Sequence, residues 1–205
     1  MFKKIKFIGI YDYTVILTYL SLLSALFGIV KATQGMFNRA ILCLLVSGFC
    51  DAFDGIVART KKNRNETEKE FGIQIDSLCD VIAFGVFPAL LGFFMGLKGT
   101  IGIIITLLYA LCAVIRLAYF NVLEGRRQKT ETGCAKTYRG LPVTSIAIIF
   151  PFIYGLGLCM PEHVFIIVLH VTLAVTAFLF ILDFTVPKPD WTILFRQATR
   201  NRKER

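Results

Sequence analysis

The sequence predicts an all-α, polytopic membrane protein: a bundle of six transmembrane helices with both termini in the cytoplasm. Three observations carry this. Apolar residues make up 56 % of the 205 residues and charged residues only 18 %, against about 25 % charged in a soluble domain. Mean hydropathy is +0.66. The apolar residues gather into six runs, each near the ~20 residues that a helix needs to cross the hydrocarbon core. A soluble globular enzyme and a disordered chain are both excluded by this composition.

The runs lie at roughly 13–30, 36–59, 71–97, 99–123, 141–160 and 163–186. Helices are required because backbone groups in lipid must be satisfied within their own segment, and the short alternating segments of a barrel are absent. Three lysines in MFKKIKFIGIYDYT precede the first run with no clean small-residue cleavage site, so a retained first span is expected. Residues 1–186 form the transmembrane unit and 187–205 a basic cytoplasmic tail. That tail follows Pro187-Lys188-Pro189 and carries Trp191 and Phe195, which suits either an interfacial segment or a frayed end.

Orientation comes from the basic residues. The N-terminus, the loop TKKNRNETEKE, the loop after the fourth run and the tail hold nearly all of them; Lys31, Arg39 and Lys98 lie on the other side, and Arg116 lies inside a run. This asymmetry puts both termini and the two long loops in the cytoplasm. The net charge of +9 therefore reflects topology and anionic head groups, not nucleic acid. The six cysteines include no C-x-x-C pair and suggest neither disulfides nor a zinc site. His170 reads as a core residue bonded to a neighbour, and Asp12 and Asp183 as acids near span ends facing head groups or basic residues. Pro88 and Pro151 are expected to kink their helices. Gly28, Gly48 and Gly92 permit close helix packing within or between subunits.

Four acids stand inside the apolar runs: Asp51, Asp54, Asp76 and Asp80. Each costs at least ~2.5 kcal/mol if ionised at the centre of a span. Their spacings, i, i+3 and i, i+4, put each pair on one helix face. At ~1.5 Å rise per residue both pairs lie about 7–14 Å below the cytoplasmic ends of antiparallel neighbours, level with each other. Two such charges 4 Å apart repel by about 4 kcal/mol at an effective dielectric of 20. Two Mg²⁺ or Mn²⁺ ions, which prefer hard oxygen ligands, would offset that repulsion and could hold a diphosphate. A proton or cation pathway is the alternative that the carboxylates alone leave open. Gly55, Gly72, Ala58 and Arg59 add a small-residue face and a phosphate-gripping guanidinium at the head-group plane, for which a transporter has no need.

DAFDGIVAR followed by FGIQIDSLCD resembles the signature of the CDP-alcohol phosphatidyltransferases, D-x-x-D-G-x-x-A-R, a spacer, then G-x-x-x-D-x-x-x-D. All eight fixed positions match: Asp51, Asp54, Gly55, Ala58, Arg59, Gly72, Asp76 and Asp80. The spacer, 60–71, is 12 residues long and longer than in most members, and Val15 stands where many members have the Asn of N-x-x-T, with Thr18 in place. The resemblance implies an integral membrane transferase, with Asp51, Asp54, Asp76 and Asp80 binding two divalent ions and Asp80 also acting as general base. It further implies that Gly55, Ala58, Arg59 and Gly72 bind CDP-diacylglycerol, that CMP is released, and that the protein is a homodimer. Membrane lipids surround it, the site faces the cytoplasm, and the membrane is expected to be the cell membrane of a bacterium.

Later residues resemble the serine-accepting branch of that family: RLAYFN from Arg116 to Asn121, the segment Ser77–Ala89, and Tyr138-Arg139-Gly140-Leu141-Pro142. L-serine is then the expected acceptor, its carboxylate met by Arg116 and Arg139 and its ammonium by Asn121. A snorkelling or structurally paired Arg116 is the competing reading. Glycerol 3-phosphate or inositol phosphate are the competing acceptors, and a cation- or proton-coupled transporter is the competing class.

Overall fold

A computed structural model describes residues 8–61, 65–130 and 137–187. The elements run α1 (Ile16–Thr33), α2 (Phe37–Thr60), α3 (Glu66–Asp80), a π-helical segment (Val81–Val86), α4 (Phe87–Met95), α5 (Gly99–Thr130), β1 (Thr137–Arg139), a 3-10 turn (Val143–Ser145), α6 (Ile146–Gly157), α7 (Glu162–Ile181) and β2 (Thr185–Pro187). The chain is an integral membrane protein, a bundle with six apolar helical stretches among the described residues. Five are long and apolar enough to cross a membrane, among them the continuous 30-residue run Glu66–Met95; the sixth, Val143–Gly157, is shorter than the 141–160 run suggested. The expectations for residues 1–7 and for the tail beyond Pro187 lie outside the described residues.

The α1–α2 contact follows from small residues at three- and four-residue intervals. Thr18, Ser21, Ala25, Gly28 and Ala32 are the buried stripe of α1, while Leu20, Leu23, Phe27 and Val30 point away from the protein and into the space that lipid fills. Lipid tails are as apolar as leucine, so helices associate through close packing and hydrogen bonds, which small residues allow. The Ser21 hydroxyl donates to the Ser47 carbonyl (3.2 Å) and the Ser47 hydroxyl to the Ser21 carbonyl (2.7 Å), a reciprocal pair across the buried seam. Ser24 donates to the Cys43 carbonyl at 2.9 Å.

The three glycines expected to permit close packing all do so within the chain. A Cβ on Gly28 would overlap the Phe87 ring, one on Gly48 would meet the Ala147 side chain, and one on Gly92 would meet Leu173. The core between the seams is filled by Phe84, Phe87, Tyr109, Phe150 and Phe180.

Pro88 does not simply kink its helix. The six residues before Phe87 take up π geometry, the Phe87 N–H reaching back five residues to the Ile82 carbonyl. In an α-helix the Phe84 carbonyl would accept from residue 88, which here is a proline with no N–H and a ring that crowds that carbonyl. The widened turn removes the clash, and the Tyr109 hydroxyl on α5 donates to the Phe84 carbonyl at 2.8 Å. The all-α expectation needs one addition: β1 and β2 pair antiparallel, Tyr138 opposite Val186. This ribbon fastens the connection before α6 to the chain leaving α7. His170 bonds through Nδ1 to the Ile166 carbonyl one turn back (2.7 Å), as a packed helix residue.

At one end of the bundle a charged clasp holds three segments. Lys61, just past α2, donates to Asp12 before α1 (2.8 Å) and to Glu68 on α3 (3.0 Å). The basic neighbour expected for Asp12 is thus Lys61. Glu68 also completes a capping box: its backbone N–H donates to Asn65 Oδ1 (2.7 Å), and its carboxylate accepts from the Asn65 N–H (3.3 Å). That box explains why α3 starts at Glu66, inside the charged spacer, five residues earlier than the apolar run implied.

The Lys61 ammonium foremost, with the Thr14 hydroxyl, holds the Asp12 carboxyl at about 2 instead of 3.8. A depressed carboxylate contributes stability that is complete above its unfolded value of about 4 and disappears as pH falls through the folded one. Thermal unfolding of the purified protein is therefore expected to show a loss between about pH 4 and pH 2 that is smaller in Asp12→Asn. Identical acid profiles for the two proteins would count against the clasp.

Candidate active site

The four intramembrane acids meet. Asp51 and Asp54 come from α2; Asp76 and Asp80 come from α3. One carboxylate oxygen from each of Asp51, Asp76 and Asp80 lies within 4.8 Å of the others. The fourth acid is joined to the same group: Asp54 is within hydrogen-bonding reach of Asp76, and Asp51 of Asp80. Asp80 is the deepest, 9 % exposed. Thr18 on α1 donates its hydroxyl to Asp54 Oδ2 at 3.1 Å, fixing that carboxylate from the third helix. Such a set of hard, anionic oxygens fits the ligand preference of Mg²⁺ or Mn²⁺.

Two cavities flank the quartet and meet at Asp76. The first, about 360 Å³, is lined by Thr14, Val15, Thr18, Asp54, Gly55, Ala58, Lys69, Gly72, Ile73 and Asp76. It gathers the small motif residues Gly55, Ala58 and Gly72 on one wall, where the lack of side chains leaves room between α2 and α3. Val15, standing where many members carry Asn, lines this same wall. The second, about 350 Å³, is lined by Asp51, Asp76, Ser77, Asp80, Arg116, Leu117, Phe120, Asn121 and the turn Pro142-Val143-Thr144. Asp54 belongs to the first cavity and Asp51 and Asp80 to the second.

Arg116 is 6 % exposed and lies at the level of the quartet. Its Nε donates to the Leu141 carbonyl at 3.1 Å. The same side chain borders a third cavity of about 230 Å³ on the α5–α7 side, which Asp183 and Gly140 also line. Gly140 has φ +72, and a Cβ there would come within 3.4 Å of Arg116 Nε, so glycine suits both the backbone and the guanidinium. Asn121 Nδ2 donates to Ser77 Oγ at 2.7 Å, which leaves the amide oxygen as the group it can offer a ligand.

Arg59 lies in the last turn of α2 and Arg139 in β1; the side chains of both are outside the described residues, and so are the contacts read for them. Sequence reasoning missed Lys69 and Thr14 as cavity walls. The signal for Lys69 is present, since Lys69, Gly72 and Asp76 follow one helix face at three- and four-residue steps. Thr14 precedes α1, where no periodicity identifies it.

Residues 13–182 match the family model for CDP-alcohol phosphatidyltransferase, and the chain belongs to that family. It is 36 % identical over 119 residues to a CDP-diacylglycerol–serine O-phosphatidyltransferase of Saccharomyces cerevisiae, across 57 % of this chain and 42 % of the yeast protein. It is 36 % identical over 157 residues to the archaetidylserine synthase of Methanothermobacter thermautotrophicus, covering 76 % and 62 %. A CDP-diacylglycerol–serine O-phosphatidyltransferase of Helicobacter pylori is 33 % identical over 142 residues, covering 68 % and 56 %. The chain thus spans 42–62 % of the length of these relatives.

A ligand that binds only the folded state raises its stability by mass action. Mn²⁺ at about 100 times its Kd is expected to stabilise the purified protein by about 2.7 kcal/mol, with reversal by chelator. Asp76→Asn, which alters the carboxylate common to both cavities, should abolish most of that rise. No Mn²⁺-dependent change in the wild-type midpoint would contradict the metal assignment.

Proposed function

We propose that this protein transfers the phosphatidyl group of CDP-diacylglycerol to the hydroxyl of L-serine, releasing CMP. The observation that carries this reading is the meeting of the two cavities at the acidic quartet, with Asp80 on the acceptor side and the small-residue wall on the other. The names of the relatives support serine as acceptor.

On this reading CDP-diacylglycerol lies against Gly55, Ala58 and Gly72, with its diphosphate toward the quartet and its acyl chains in the bilayer. Lys69 adds positive charge to that wall, and the family motif assigns Arg59 to the same head group. Asp51, Asp54, Asp76 and Asp80 would hold two divalent ions, Mg²⁺ or Mn²⁺. Such ions, when bound, neutralise the charge that grows on the bridging oxygen of the diphosphate as CMP departs. Thr18 keeps Asp54 oriented.

Serine enters the second cavity. Arg116, steadied by the Leu141 carbonyl, receives its carboxylate, and the Asn121 amide oxygen receives its ammonium. Arg139 is assigned a supporting role toward the carboxylate. Asp80 takes the hydroxyl proton as the serine oxygen attacks the β-phosphorus. The new P–O bond forms to serine, the bond to the bridging oxygen breaks, and CMP leaves with that oxygen. Among the described residues Arg116 is the one basic side chain lining this cavity, which suits a carboxylate better than the phosphate of glycerol 3-phosphate or inositol phosphate.

The basic loops support a site at the cytoplasmic face, and the likeness to the Helicobacter pylori protein supports a bacterial cell membrane. The homodimer implied by the family has no assigned face, because Gly28, Gly48 and Gly92 are all occupied by neighbours within the chain.

Purified protein given CDP-diacylglycerol and Mg²⁺ or Mn²⁺ is expected to release CMP with L-serine and not with glycerol 3-phosphate or inositol phosphate. Flux of ions across sealed vesicles without CMP release would support a transporter instead. Charge-assisted hydrogen bonds of about 1.5–3 kcal/mol imply that Arg116→Ala raises KM for serine about ten- to hundred-fold with little change for CDP-diacylglycerol. Equal effects on both substrates would remove Arg116 from the serine site.

A further inference from the structure

We infer that Tyr109, which lines neither cavity beside the quartet, is a positioning residue for the acidic quartet and acts through the π segment. The inference rests on the reading that the quartet binds divalent ions.

The segment begins at Val81, immediately after Asp80. A helix turns about 100° per residue, so inserting the extra residue of a π turn rotates everything before it against everything after it. On the far side, α4 is locked: Phe87 fills the space that Gly28 leaves, and Gly92 lies against Leu173 of α7. On the near side, Asp76 and Asp80 face Asp51 and Asp54 of α2. With α4 fixed by its neighbours, the π turn decides which way the α3 carboxylates point. A regular α-helix through Val81–Val86 would turn that pair by about 100° away from α2.

The π turn needs support from outside the helix. Pro88 denies the Phe84 carbonyl its α-helical partner. Tyr109, 0 % exposed, supplies a hydroxyl at 2.8 Å in its place. The approach of the two helices is tight beside that bond, since a Cβ on Gly85 would come within 3.3 Å of the Ala113 side chain. Tyr109, Ala113 and Arg116 follow one face of α5 at helical spacing. The face that braces the π turn thus continues into the wall of the second cavity, and the register of α3 and the place of Arg116 are set by one contact.

The test is Mn²⁺ titration by electron paramagnetic resonance on the purified full chain in nanodiscs, with thermal unfolding of the ion-free protein alongside. Tyr109→Phe removes one oxygen and is expected to weaken Mn²⁺ binding about ten-fold, the lower range for groups that orient metal ligands. Pro88→Ala gives the Phe84 carbonyl an N–H on its own helix and permits an α-helical turn. It is expected to weaken Mn²⁺ binding similarly while the ion-free unfolding midpoint holds or rises. A merely structural bond would instead lower the midpoint of Tyr109→Phe and leave the Mn²⁺ constant of the folded protein unchanged. Unchanged constants in the variants beside a wild type that binds Mn²⁺ overturn this inference alone. A wild type that binds no Mn²⁺ overturns the metal reading and this inference with it. Should Tyr109→Phe not fold, Pro88→Ala carries the test by itself.

Discussion

Four carboxylates held together at one end of a membrane bundle are the constraint on which the rest of this structure depends. Ionised and uncompensated, neighbouring members of the group would repel by several kcal/mol even at the effective dielectric typical of proteins. Everything that brings α2 and α3 together at that end works against this repulsion. The Lys61 clasp ties the segment before α1, the end of α2 and the start of α3. The reciprocal serine bonds and the small stripe of α1 hold α2 from the side, and Thr18 reaches across to Asp54. A scaffold built to this degree around mutual repulsion is consistent with counter-charges that arrive with the ligands.

The geometry also divides the work between two sides. Asp54 and the small residues of the motif border one cavity, Asp51 and Asp80 the other, and Asp76 both. A transfer reaction between two substrates needs both within reach of one charged centre and on opposite sides of the bond that changes hands. On the proposed reading the lipid substrate keeps its acyl chains in the bilayer, since the first cavity lies beside exposed apolar residues of α2 such as Ile56.

Much of this was legible in the sequence, and for identifiable reasons. Six apolar runs give six apolar helical stretches because lipid leaves the backbone no alternative to a helix. The i, i+3 and i, i+4 spacing of the acids sets their common faces, and counting residues from the charged loop puts the quartet and Arg116 at one level. The spacer looks like loop throughout in the sequence, since its charges hide the capping box from Asn65 to Glu68. The π turn was not foreseen because Pro88 signals only a missing donor; the answer depends on Tyr109, which is 21 residues further along and carries no periodic mark. The small β1–β2 ribbon escaped notice for a similar reason, its two strands of three residues being set by pairing across the fold.

The most direct measurement is anomalous diffraction from crystals of the protein equilibrated with Mn²⁺. Two peaks are expected between α2 and α3, each within coordination distance of carboxylate oxygens from Asp51, Asp54, Asp76 or Asp80. Peaks elsewhere, or carboxylates turned away from one another with no anomalous scatterer between them, would contradict it.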